Sequence, residues 1–154
     1  MWPGPVGTRY DALGSGGTVT IDFDSRSLQN AGQHSPIVKD FVSLNGTIVN
    51  CAGGLAFGDT GWITSEETTS GPAQGWLQKH GYNFFVPASA EETVPAVALR
   101  AMGRFAHEAA IADAQTGIVY QTEDAGSGPV RAFIVFCPMI RTISRRAARC
   151  RCWW

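Results

Sequence analysis

Charge is scarce in this chain of 154 residues: Asp, Glu, Lys and Arg make up 16% of it, where about a quarter is usual for a soluble domain. Long apolar runs are missing as well. None approaches the ~18–20 residues that a membrane-spanning helix needs, so no membrane span is expected. The first residues, Met-Trp-Pro-Gly-Pro, carry no basic segment followed by an apolar core, so no secretion signal is read there. The body has no Gly-x-Ser-x-Gly elbow, no phosphate-cradling P-loop and no Cys-x-x-Cys pair. His107-Glu108 is not the zinc-protease signature, because position 111 is Ile. Acids are absent from residues 129–154, which hold six arginines, whereas residues 1–128 hold 13 acids and six bases. The net charge of −1 therefore averages an acidic body and a basic tail. Neutrality is thus no guide to partners; no nucleic-acid partner and no oligomer are expected.

What is present has the texture of β-sheet. Eighteen glycines and eight prolines break the chain into short β-branched or aromatic runs, and the length suits one domain. Thr18–Phe23 alternates polar and apolar as a half-buried strand does. Phe41–Leu44 runs to Asn45-Gly46, which reads as a tight turn, with Thr47-Ile48-Val49 resuming beyond it. That turn explains Asn45-Gly46-Thr47 better than a glycosylation sequon does. Gly61–Ser65 and Tyr82–Val86 predict two further strands. Ala109–Ala112 and Ile118–Thr122 flank a turn that starts at Asp113 and ends at Gly117. Residues 96–114 are alanine-rich and would favour a helix on propensity alone, but the spacing of strands elsewhere predicts an all-β fold.

Four segments carry candidate chemistry. Asn50-Cys51-Ala52-Gly53-Gly54 sets a thiol before two glycines, so Cys51 reads either as a buried free cysteine or as a thiolate aimed from a tight turn. In Trp62–Glu67 the adjacent Glu66 and Glu67 point to opposite faces of a strand, so one can face a site while the other faces solvent or a second ion. Gly103–Ala109 brings together Arg104, His107 and Glu108, and a guanidinium suits phosphate or carboxylate. Thr122-Glu123-Asp124 ends a strand, and strand-end carboxylates suit calcium, which takes about 6–8 oxygen ligands. Carboxylates favour hard cations, and a single thiolate favours a transition metal such as iron. His34 and His80 have no metal-ligand spacing and are expected at the surface.

Taken in order, the Asn50–Gly54, Trp62–Thr68, Lys79–Tyr82, Ala101–Ala109 and Thr116–Asp124 segments resemble the PhoX-type alkaline phosphatase family, over roughly residues 15–133. The resemblance implies a β-propeller whose face holds calcium and iron and hydrolyses phosphate monoesters outside the cytoplasm, in the periplasm or secreted. It implies Cys51 as the ligand to iron, Glu108 as a bridging carboxylate, and Glu66 or Glu67 and Glu123 or Asp124 as further metal ligands. Arg104 would contact the substrate or brace the carboxylates. The partners implied are metal ions and small phosphate esters. Ser65 stands where the family often has a second thiol.

Family members are several times longer, so the chain is expected to form a partial β-propeller of about two to three blades, with little activity alone. The alternative is a non-catalytic calcium-binding propeller scaffold. After Phe133 the resemblance stops. Read two bases out of frame, allowed codons for Phe133–Ile143 can spell Tyr-Arg-Phe-Leu-Pro-Asp-Asp-Pro-Asp-Asp, so residues 134–154 are expected to be a frame-shifted, disordered basic tail. The rival reading is a basic, Trp-ended arm for nucleic acid or a membrane surface. The coding DNA decides between them: an intact frame with homologous tails in other genes would sink the frame-shift hypothesis.

Overall fold

The computed structural model describes residues 7–26, 36–124 and 132–137. They form eight strands in three antiparallel sheets, and no α-helix is among them. β1 (Gly16–Phe23) pairs with β2 (Ile37–Thr47). β3 (Gly54–Leu55), β4 (Gly61–Ser65) and β5 (Asn83–Pro87) make the middle sheet in that order. β6 (His107–Ala112), β7 (Val119–Glu123) and β8 (Phe133–Phe136) make the third. The all-β expectation holds, including the alanine-rich stretch. There Arg100–Met102 forms one 3-10 turn before β6 begins.

The middle sheet buries both faces because its strands alternate apolar side chains to either side. On one side Phe84 and Val86 of β5 join Tyr82 and Leu44 of β2, with Tyr10, Val94, Ala96 and Ala98 around them. On the other side Ile63 of β4 joins Ala56, Ala110 and Ala112 of β6 and Val119 of β7, flanked by Phe85, Met102 and Phe136. Adjacent Phe84 and Phe85 thus serve two different cores. The Asp113–Gly117 turn forms as expected: the Asp113 carboxylate accepts from the N–H groups of Gln115 and Thr116 and from the Thr116 hydroxyl.

Two expectations are corrected. Asn45-Gly46 does not turn; β2 runs straight through both residues. The N-terminal segment lies against them, with Tyr10 N–H donating to Asn45 O at 3.2 Å and Asp11 N–H to Gly46 O at 2.9 Å. Gly46, at φ 81°, is there for that approach, since a Cβ would lie 2.6 Å from Tyr10 N. In addition, the apolar face of β1 is open rather than half-buried: Val19, Ile21 and Phe23 are 60, 54 and 60% exposed. The buried stretch of this sheet is Ser43–Ile48, at the end of β2 and just beyond it.

The boundary expected at residue 133 falls inside the third sheet, where Phe133, Ile134, Val135 and Phe136 pair with Thr122, Gln121, Tyr120 and Val119. Residues 138–154, the rest of the expected tail, lie outside the described residues, as does His34.

Phe84 is fully buried, and truncating such an aromatic costs about 3–5 kcal/mol of a domain stability of about 5–15 kcal/mol. Phe84→Ala is therefore expected to shift the denaturant midpoint much further than Phe85→Ala, whose side chain is half-buried. Equal shifts would contradict the two-sided packing.

Candidate functional site

The Cys51 loop is shaped by backbone proximity. Gly53, at φ 94°, approaches β4 so closely that a Cβ would lie 2.0 Å from Ile63 O. At Gly54 a Cβ would lie 2.2 Å from Ala110 O. No side chain fits at either position, which is why the thiol is followed by two glycines. Cys51 N–H donates to Ser65 O at 2.8 Å, Glu67 N–H donates to Val49 O at 2.8 Å, and Gly53 N–H donates to Glu108 O at 3.3 Å. The loop is thereby tied to β4, to the residues just beyond it and to β6.

These ties bring Cys51, Glu67 and Glu108 together. Cys51 is free and partly buried. Burial pushes its thiol pKa up. The Ala52 N–H pulls the other way, while the neighbouring Glu67 carboxylate and the charge of Glu108 add to the rise. Glu108 sits at a register shift in the β6–β7 pairing, where His107 opposes Glu123 and Ala109 already opposes Thr122. Such a bulge takes one residue out of strand alternation and re-aims its side chain; here Glu108 is exposed. The Ala109 N–H at the bulge donates to the Thr122 hydroxyl at 3.2 Å. One sulfur and two carboxylates are the kinds of donor that iron and calcium take, so the set fits those metals in its chemistry. Among the described residues no three His, Cys, Asp or Glu side chains converge closely enough to hold an ion as they stand.

Glu66 has a different place. It is fully buried, and Oε1 accepts from Ile48 N–H at 3.1 Å and faces His80 Nδ1 at 2.7 Å. Its Oε2 accepts from Gly81 N–H at 2.8 Å and Tyr82 N–H at 3.3 Å. The other ring nitrogen of His80, Nε2, lies 3.3 Å from Asp11 Oδ2. His80 is thus fully buried, which corrects the expectation that it lies at the surface. Its ring is paired on both sides and flanked edge-on by Tyr10 and Trp76. Asp11 Oδ2 also accepts from Leu77 and Gln78 N–H at 2.7 and 2.8 Å, and Oδ1 from Leu13 N–H at 2.8 Å. Burial opposes ionisation of Asp11, but the Leu13, Gln78, His80 and Leu77 hydrogen bonds outweigh it and hold the carboxyl below its usual range.

The remaining candidates are placed by other contacts. Arg104 donates through Nε to His80 O at 2.8 Å and through its guanidinium to Thr69 O and Ser70 O. Glu123 opposes His107 across β6–β7, and Asp124 N–H donates to Ala106 O at 3.1 Å. Both side chains are partly buried. A buried polar cluster lies between the middle and third sheets: Asn83 Nδ2 donates to Gln121 Oε1 at 2.6 Å, and Gln121 Nε2 to Met102 O at 3.3 Å. His107 joins it fully buried, its ring 3.6 Å from that of Phe105. Burial lowers the pKa of His107 to about 4. Weaker opposing pulls come from Gly103, Gly81 and Gln121, none of them in hydrogen-bonding geometry with either ring nitrogen. Sequence reasoning missed Asp11, which faces His80 from 69 residues away, and the Asn83–Gln121 pair, which are 38 residues apart. Asp11, two residues before the exposed Leu13, carried only the general signal that a lone acid in an apolar segment needs donors.

Comparison with known proteins gives one result. The family model described as alkaline phosphatase PhoX matches residues 27–147. No curated protein and no solved structure matches significantly. No helix among the described residues is long and apolar enough to cross a membrane.

Asp11 also sets a pH dependence. Its folded pKa lies below the ordinary 3.8, so its stabilisation is complete above that value and is lost as pH falls through the lower folded value. Asp11→Asn is expected to lower stability near neutral pH by about 1–3 kcal/mol. It should also flatten the fall in thermal midpoint below about pH 4. Melting curves of the two proteins that run parallel across that range would refute this.

Proposed function

Because the chain belongs to the alkaline phosphatase PhoX family, we propose that it supplies part of a metal-dependent site for hydrolysing phosphate monoesters, acting outside the cytoplasm. The observation that carries this reading is the meeting of Cys51 with Glu67 and Glu108 on a glycine-shaped loop and a strand bulge. In this reading the middle and third sheets are successive blades of a propeller and β1–β2 belongs to another. The packing of the middle sheet on both faces supports that arrangement.

Cys51, Glu67 and Glu108 hold iron and calcium, with Glu123 and Asp124 at the end of β7 as further oxygen donors. Glu67 rather than Glu66 serves, since both oxygens of Glu66 are engaged by backbone N–H groups and His80. The chemistry such ions supply when bound is neutralisation of the phosphate oxygens during an in-line displacement. Burial and the nearby carboxylates raise the Cys51 thiol pKa, and a metal held there would take the sulfur as thiolate. Arg104 holds the Thr69–His80 loop by its three carbonyl contacts and braces the site rather than the ester. The donors neighbour one another without converging, so the chain alone turns over such esters little.

Loading the purified chain with Ca²⁺ and Fe³⁺, followed by metal analysis and an assay with p-nitrophenyl phosphate, tests these points. Iron is expected in the wild type, with Cys51→Ser reducing its affinity at least about tenfold, the lower end of what even outer-shell changes cost, while calcium is retained. Calcium without iron would favour a non-catalytic scaffold. Robust turnover by the chain alone would overturn the incompleteness of the site.

A further inference from the structure

We propose that Asp11, His80 and Glu66 are positioning residues for Cys51: their buried relay holds the strained turn that sets the thiol beside Glu67. The inference rests on the reading of Cys51, Glu67 and Glu108 as a ligand set, but concerns residues outside that set.

The strained element is Val49, at φ 46°. A β-branched side chain in the left-handed region is a genuine outlier. Such a conformation persists only where its surroundings over-determine it. Here they do. Glu66 Oε1 accepts from Ile48 N–H at 3.1 Å, on one side of Val49. Val49 O itself accepts from Glu67 N–H at 2.8 Å. On the other side the Asn50 carboxamide accepts from the Thr47 hydroxyl at 2.6 Å and donates to Thr64 Oγ1 at 3.0 Å. Cys51 N–H is then taken by Ser65 O. Of these holds, the Glu66 carboxylate is the one fixed from a distance. It is gripped by Gly81 N–H, Tyr82 N–H and His80, and His80 is gripped in turn by Asp11.

Glu66 and Glu67 are consecutive, so one bend of chain does two jobs. The buried carboxylate fixes the turn from below, and the next one meets the thiol that the turn presents. Weakening the relay lets Val49 relax to negative φ, which draws Cys51 away from Glu67 and opens it to solvent. Asp11 acts on a thiol 40 positions further along the chain although the two side chains share no contact.

The test reads Cys51 in the full-length, metal-free chain by its iodoacetamide alkylation rate, resolved from Cys137, Cys150 and Cys152 by peptide mass mapping. Folding is monitored by circular dichroism. Glu66→Gln and Asp11→Asn are expected to raise the Cys51 rate about threefold or more, as a loop held by hydrogen bonds of modest individual strength opens. Adding Val49→Gly should bring the rate back to that of Val49→Gly alone, because glycine adopts positive φ without support. A purely structural role predicts lower melting temperatures with an unmoved Cys51 rate and no rescue, and either result overturns the proposal. If Glu66→Gln does not fold, Asp11→Asn with and without Val49→Gly carries the same comparison. Metal is absent throughout, so failure of iron binding at Cys51 leaves this outcome unaffected and is seen separately by metal analysis.

Discussion

A carboxylate withdrawn from water must be met by donors at every lone pair it keeps, and the Glu66 carboxylate meets this demand by gathering four. They come from Ile48 just beyond β2, from Gly81 and Tyr82 entering β5, and from the His80 ring. No apolar contact could join those segments with the same directionality, because dispersion and hydrophobic burial fix volume rather than angle. The Glu66 backbone completes the junction: its N–H donates to Tyr82 O, and its carbonyl accepts from His107 N–H of β6. All three sheets therefore meet through one residue. Placing a group of this kind inside is costly unless the network is complete. Asp11 completes it from the N-terminal side, so the first described segment belongs to the same unit as the site.

Around that junction the apolar material divides cleanly. The Leu44–Phe84 cluster and the Ile63–Ala110 cluster occupy opposite faces of the middle sheet, and the polar residues Ser65, Asn83, Gln121 and His107 continue the second face toward the Glu66 end. The sheet stack is thus oily along its length and polar at one end, beside Cys51, Glu67 and Glu108. Rigid strands hold the end where the donors stand, which is the arrangement a site needs if its side chains are to keep their places.

How much of this could be read from the chain depended on range. Gly61–Ser65 and the Asp113–Gly117 turn were legible because period-two alternation and an Asp-to-Gly turn act within a few residues. Cys51, Glu67 and Glu108 were legible as residue types beside glycines and at a strand start. Which glutamate of the pair faces the thiol was not, since strand parity shows opposite faces without naming which face is the core. Asn45-Gly46 misled for a related reason. A glycine at positive φ marks either a turn or a close approach, and only the distant Tyr10–Asp11 segment makes it the latter. His80 was misread because its partners are 14 and 69 residues away, and no local pattern announces such pairs.

The acidic excess of the body looks different once its members are placed. Glu66 and Asp11 are internal, each hydrogen-bonded to backbone N–H groups and facing the His80 ring, rather than displayed at the surface. Glu67 and Glu108 lie around a thiol whose pKa they help to raise. Negative charge beside the sulfur disfavours its thiolate, which is why the thiol pKa rises further than burial alone would take it. The folded frame keeps this grouping in place, because Gly53 and Gly54 leave the loop no room to retreat and Val49 is held in its strained turn. In the proposed reading, a cation bound there would offset that negative charge. The Asp11–His80–Glu66 relay, as proposed, is what ties the turn before Cys51 to the buried junction, through the Glu66 carboxylate that accepts from Ile48 N–H.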